Sequence, residues 1–301
     1  MSEETIKLSH IILYVDKTIP ERDVMAFCTN IRSEEPQMGF TYLCYDNRFT
    51  PDGVGALVNL INSMSISKRS LFIITDSKNA LMYASDQGIA NAAVFAKGGE
   101  NRDLSGALYC IEDIGFMDHA RINRMWQRHH KIPWTIATTD RLVIREQTME
   151  DIDSLYKLYD DDDIRRFVEP LYEDRKKEEE YLRDYIDNQY RFFEYGLWAL
   201  TLKDTGELIG RAGIGSREGY DIPELGYVIG KRFRRKGYAT EALRAIIVYG
   251  CEELGFDRYM AFTSQRNIPS VKLLERMGFL RAGCDEIMGR LHDRYLLTKT
   301  Q

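Results

Sequence analysis

The chain has 301 residues, enough for two ordinary domains, and its 44% hydrophobic and 29% charged residues are those of a globular protein. A formal net charge of −6 removes any general electrostatic case for nucleic acid or an anionic membrane as partner. Short apolar runs, a polar acidic start and five cysteines (28, 44, 110, 251 and 284) with no CxxC spacing argue against a membrane span, a signal peptide, a disulfide framework and a zinc site. The expectation is a cytoplasmic protein with reduced thiols and no metal.

Taken in chain order, the first half alternates short apolar strands with helical stretches. "HIILYV" reads as a buried strand and "PERDVMAFCTNIR" as a helix opened by Pro20. "FTYLCY", "SLFIIT" and "NAAVFA" are further strands. Between them lie the helices "PDGVGALVNLINSM" and "SKNALMYASDQGI", the second ended by Gly88. Strands separated by helices predict a parallel, Rossmann-like sheet of βαβ units. Residues 116–130 close this half as a helix. The segment "KIPWTIATTD" carries a proline and little periodicity, so a boundary falls within residues 131–139. The domains are then 1–135 and 138–301.

The second half has another rhythm. "RLVIRE" alternates like a strand, and "TMEDIDSLYKLY" is a helix with Thr148 and Asp151 spaced as a capping box. A charged helical region, "EDRKKEEEYLRDYIDNQYRFFEY", precedes the strands "GLWALTL" and "LIGRAGIG", which the turn "KDTGE" joins. After them come the strand "ELGYVIG", the basic loop "KRFRRKG", a helix from about Ala239 to Gly255, the strand "RYMAFTS", the helix "PSVKLLERMG" and a last strand "RYLLTK". Tight turns between strands, with helices inserted, predict a mixed α/β sheet.

The basic loop is the first candidate site. Ala239, Ala242, Leu243, Ile246, Gly250 and Leu254 keep helical spacing, so a helix starts directly after Gly237. A helix start presents unpaired N–H groups and partial positive charge, which suits phosphate. Arg234, Arg235 and Lys236 add positive charge just before it. Taken alone, the cluster reads equally well as a solvated charge run.

The pattern Arg234-x-x-Gly237-x-Ala239, followed some thirty residues later by "NIPSVKLLERMGF", resembles the two signatures of the GNAT superfamily of N-acetyltransferases. "TTDRLVIRE" is similar to the domain start of the subgroup that modifies N-terminal amines of ribosomal proteins. The resemblance spans residues 140 to about 299. It implies acetyl-CoA as co-substrate. Tyr227, Val228 and Ile229 would lie on a splayed strand, with Gly226 helping it bulge, and would pair with pantetheine. Amides from Arg235 through Lys236, Gly237, Tyr238 and Ala239 to Thr240 would hold the pyrophosphate, beside the Arg234 side chain. Asn267 would bond the pantetheine arm, or cap the following helix, or both.

Within the same resemblance Glu224 is the first candidate for a base, and an amide near Val228 for the oxyanion donor. The usual acid tyrosine is replaced by Leu274, so Ser270 is named as the proton donor to the thiolate. Asp285, Glu286 and Asp293 are weaker alternatives as base, and Tyr227 and Tyr238 read as packing. Phe167, Glu169, Leu171 and Tyr172 are expected to line the acceptor pocket, and the acidic run 160–163 could attract a cationic amine. The expected partner is an amine, either a small molecule or a polypeptide N-terminus. The rival reading is an acyl-CoA-binding regulatory protein without catalysis. The first half, over residues 8–115, resembles a degenerate haloacid dehalogenase-like domain. Its nucleophile position in the frame "YVDKT" holds Tyr14, so hydrolase chemistry is expected to be lost.

Overall fold

A computed structural model describes residues 6–46, 54–95, 104, 106–287 and 289–298. The chain forms two compact units, Met1–Ile132 and Pro133–Gln301.

In the first unit the strands are β1 (His10–Asp16), β2 (Gly39–Tyr45), β3 (Leu71–Thr75), β4 (Ala90–Val94) and β5 (Cys110–Ile111). They pair in parallel in the order β2-β1-β3-β4-β5. The helices are α1 (Glu21–Glu34), α2 (Gly55–Ser63), α3 (Lys78–Asp86) and α4 (His119–His129). Strand alternation explains why both faces are covered. Ile11, Leu13 and Val15 pack with Phe27 and Ile31 of α1 and Trp126 of α4, while Ile12 and Tyr14 pack with Leu57 of α2 and Ala80 of α3. Tyr14 is buried and its ring stacks on Tyr45 at 4.9 Å between centroids. Gly88 takes φ +65° beyond α3, as its place after the helix required. The last helix starts later than the pattern suggested, because the Asp118 side chain accepts the Arg121 amide and fixes the cap there. Residues 51–53 of the second predicted helix lie outside the described residues.

The second unit is one eight-stranded sheet in the order β12-β13-β11-β10-β9-β8-β7-β6. Its first strands are β6 (Thr135–Thr138), β7 (Leu142–Arg145), β8 (Leu197–Leu202), β9 (Leu208–Gly215) and β10 (Glu224–Ile229). They are followed by β11 (Arg258–Thr263), β12 (Leu280–Ile287) and β13 (Arg290–Thr298). All neighbours are antiparallel except β10 and β11. Helix α5 (Ile152–Tyr159) opens after a 3₁₀ turn on the Thr148–Asp151 capping box, which is present as the sequence indicated. Helix α6 (Asp162–Phe167) follows directly. The charged region becomes α7 (Arg175–Asp184), a π-helical turn (Tyr185–Gln189) and α8 (Tyr190–Phe193), ended by Glu194 at φ +61°. The last helices are α9 (Tyr238–Glu252) and α10 (Ile268–Arg276).

Side-chain parity sorts the sheet faces. Leu225, Tyr227 and Ile229 join the core with α9 and α10, whereas Val228 packs against Leu158, Tyr159 and Ile164 of α5 and α6. Three strands were not foreseen: β5 in the first unit and two in this sheet. β6 lies in the segment read as a linker, and β12 precedes the last predicted strand. The bulge expected at Gly226 is absent, since β10 pairs with β9 in unbroken register from Glu224↔Gly215 to Ile229↔Gly210. Divergence arises on the other edge. β10 meets β11 at the single pair Glu224↔Met260, while β11 stays zipped to β13 over its whole length.

Candidate acetyl-transfer site

The opening beside β10 follows from that topology. Beyond Glu224 the β11-facing edge of the strand has no ladder partner, so backbone groups of residues 226–229 on that edge are open to a ligand. The basic loop stands at the end of this seam. Arg235 at φ +60° and Gly237 at φ +87° are left-handed residues separated by Lys236, a backbone form that turns neighbouring amides toward one concavity. Helix α9 then starts with no side-chain cap. Among the described residues, none of the amides of residues 235–240 donates to another protein group. A row of unpaired donors at a helix start is a site for an anion.

The side chains around the loop hold its shape. Arg234 donates from Nε to the Ile229 carbonyl at 3.0 Å, and its Nη atoms reach Asp161 at 2.5 Å and Asp163 at 3.1 Å. The acidic run is therefore committed to arginines, with Asp160 and Asp162 both bound to Arg165 at 2.9 and 2.7 Å. Arg141 donates from Nε to Glu241 at 2.7 Å and from Nη1 to the Lys236 carbonyl at 2.9 Å, and its guanidinium lies 4.3 Å from the Tyr238 ring centre. Thr139 Oγ1 adds a 2.6 Å bond to Glu241. Burial alone would raise the Glu241 carboxyl, but the bonds from Thr139 and Arg141 outweigh it and hold the group below the usual carboxylate range. Arg141 and its clamp were missed in the sequence, where "TTDRLVIRE" drew notice only as a pattern. A groove of about 810 Å³ runs beside the clamp, lined by Thr139, Arg141, Gly237, Thr240, Glu241 and Arg244 among others.

Along β10 the candidate chemical groups divide between the two faces. Glu224 Oε2 accepts from Arg217 Nε at 2.6 Å, and the Arg217 guanidinium lies 5.2 Å from the Phe262 ring centre. On the opposite face Tyr227 Oη and Ser270 Oγ are 2.7 Å apart. Burial pushes the Tyr227 phenol up to about 12, partly opposed by its bond to Ser270. The Asn267 side chain accepts the Ser270 amide at 3.4 Å, so it caps α10. Leu274, at the expected tyrosine position, is a core residue.

The remaining candidates are spread out. Asp293 is buried and bound by Arg281 and Gln265 at 2.7 and 3.0 Å, while Asp285 pairs with Arg294 at 3.3 Å, so both serve the β12–β13 ladder. Phe167 ends α6 with the Arg166 guanidinium 5.3 Å from its ring centre. Glu169 is exposed. Tyr172 is exposed beside Tyr181, and its amide donates to buried Glu178 at 2.9 Å. Leu171 packs into the clusters below α5 and α6. These residues share the α5–α7 side of the sheet but form no closed pocket around one atom.

A sheet parted beside an uncapped helix start, with amides free along both, defines a domain built for an acyl-coenzyme A. Comparison with known proteins agrees. Residues 141–280 match the family model described as the acetyltransferase (GNAT) domain. The uncharacterized N-acetyltransferase YnaD of Bacillus subtilis is 29% identical over 147 residues, which is 48% of this chain and 83% of YnaD. The Bacillus subtilis protein YkkB is 34% identical over 152 residues, covering 48% of this chain and 84% of YkkB. The [ribosomal protein uS5]-alanine N-acetyltransferase of Escherichia coli is 30% identical over 170 residues, covering 53% and 85%. A GNAT-family acetyltransferase structure from Bacillus anthracis aligns at TM-score 0.45 and 22% identity, over 53% of this chain and 94% of its own. The chain belongs to the GNAT family and is an acetyl-CoA-dependent acetyltransferase, with acetyl-CoA as co-substrate. Among the described residues no helix is long and apolar enough to cross a membrane.

Proposed function

We propose that the second unit transfers the acetyl group to a primary amine, on a small molecule or a polypeptide N-terminus, by direct attack in a ternary complex. The observation that carries this reading is the placement of Glu224 and the Tyr227–Ser270 pair on opposite faces of one open-edged strand. An attacking amine must lose a proton on one side of the thioester carbonyl, and the leaving thiolate gains one on the other. Glu224 takes the amine proton, directly or through water, while Arg217 fixes the carboxylate's position. Ser270 gives its proton to the leaving thiolate and regains one from solvent, while the Tyr227 phenol, raised by burial and so protonated at neutral pH, holds the Ser270 oxygen in place. An amide near Val228 receives the developing oxyanion. The amides of residues 235–240 hold the diphosphate, and Asn267 keeps Ser270 in place through the α10 cap. An α-amine, with a pKa of roughly 8, asks less of such a base than a lysine at roughly 10.4.

The first unit is, in this reading, a non-catalytic haloacid dehalogenase-like domain. Its support is the buried Tyr14 where the covalent chemistry requires a carboxylate.

The test is release of free coenzyme A thiol from acetyl-CoA against a panel of amines, peptides with free N-termini included. Turnover with at least one amine is expected. Glu224→Gln is expected to lower kcat about a hundredfold, within the range for a lost general base, with acetyl-CoA affinity unchanged by calorimetry. Tight acetyl-CoA binding with no thiol release from any amine would leave the regulatory-protein reading instead.

A further inference from the structure

Arg211 differs from the ion-paired arginines of the second unit in being sealed at one nitrogen without a countercharge. Arg141, Arg145, Arg165, Arg217, Arg234, Arg281 and Arg294 each pair with a carboxylate. Arg211 pairs with none among the described residues. Its Nη2 bonds the Tyr159 hydroxyl, its Nη1 reaches Gln147 Oε1 at only 3.4 Å, and its guanidinium lies 5.0 Å from the Tyr159 ring centre. Its Nε is sealed from solvent without any acceptor. The neighbouring phenols bring no countercharge. Burial pushes Tyr185 up to about 12 and Tyr190 well above its ordinary value, so both are neutral at physiological pH. A half-buried guanidinium whose Nε is sealed without an acceptor and which has no anion beside it carries an uncompensated desolvation cost, which an arriving anion would offset.

Its position says which partner. Arg211 is the direct cross-strand neighbour of Val228, and Glu224 lies four residues further along β10. Alternation places Arg211, Val228 and Glu224 on the same face. The pair between them is Gly226↔Gly213; the Gly196 backbone already fills the place of a Cβ on Gly213, so the open part of the interval lies over Gly226. A Cβ on Gly226 would meet only Leu197 Cδ2, at 3.5 Å. The strand interval is about 13 Å, a span within the combined length of an arginine and a glutamate side chain plus a small acceptor.

We propose that Arg211 receives a carboxylate carried by the acceptor, so that the amines acetylated by this protein bear an acidic group a few bonds from the nitrogen. The proposal rests on the acetyl-transfer reading. Glu224 then faces the amine and Arg211 the acid, with Gly226 as the floor beneath the atoms that join them. Arg211 is a specificity-determining residue in this arrangement and takes no part in proton transfer.

The experiment uses the full-length protein and matched acceptors. One arm compares free α-amino acids with their amides, and the other compares peptides with Asp or Asn as second residue. Thiol release is expected to favour the acidic member of one arm by about tenfold or more in kcat/KM, as a charge-assisted bond allows. The arm that shows the preference tells whether the acid is the amino acid's own carboxylate or a peptide side chain. Intrinsic reactivity works against this outcome in the first arm, because the amide's amine is less basic and more of it is neutral. Arg211→Gln is expected to erase the ratio by raising KM for the acidic member alone, with acetyl-CoA affinity and turnover of the neutral member unchanged. Equal rates within both pairs in the natural protein would overturn the proposal, whether or not the variant folds. Release from no amine at all, acidic or neutral, would instead sink the acetyl-transfer reading and this inference with it.

Discussion

Gly237 stands at φ +87°, and the amide row around it depends on that angle. A β-branched side chain there is strained by about 1–3 kcal/mol, and its Cβ would also come within 3.3 Å of Arg141 Nη2. Gly237→Val is therefore expected to weaken acetyl-CoA binding about tenfold or more, with a small loss in melting temperature. Calorimetric titration checks this, and unchanged affinity would separate the loop from the diphosphate. The need for glycine was legible, because a glycine set directly before helical spacing marks a backbone that turns through positive φ or comes close to a ligand. The duty of Arg234 was legible only in part. Its cationic character pointed to phosphate, but its guanidinium is spent on Asp161 and Asp163, which lie 73 and 71 residues away in sequence. Arg141 was illegible for the same reason, since its partners Lys236 and Glu241 are 95 and 100 residues distant. Loop and clamp are made by contacts that no local pattern encodes.

At the level of elements, the N-terminus of α9 is held by Glu241 in its own first turn. This carboxyl titrates below its ordinary value of 4.5 in the folded protein. Its stabilising contribution is thus complete above that value and is lost as pH falls through the lower, folded one. The difference in melting temperature between the natural protein and Glu241→Gln should be largest near neutrality and vanish in acid. A difference that persists unchanged below pH 4.5 would mean that the clamp carries no such charge. Elements were legible where burial made a strong pattern. β1 is apolar on both faces because helices cover both, and the Thr148–Asp151 box announces α5 from its chemistry alone. β6 escaped notice because two of its four residues are exposed and its strand character comes from pairing with β7. β12 escaped because it is a mostly exposed edge strand whose register shifts between Arg281 and Gly283.

For the molecule as a whole, each unit owns its hydrophobic clusters, which is why two different rhythms could be read from one chain. The parting of β10 from β11 has a thermodynamic corollary. Without ligand, this sheet forgoes the ladder rungs that two parallel neighbours would ordinarily exchange, and in the proposed binding mode a pantetheine chain would supply amides at that place. Substrate occupancy is then part of the protein's cohesion. At a concentration a hundredfold above its dissociation constant, acetyl-CoA should add about 2.7 kcal/mol to unfolding. The melting temperature should climb with the logarithm of ligand, and amide exchange should slow first along residues 226–229. The chain is least secure when it has nothing to transfer.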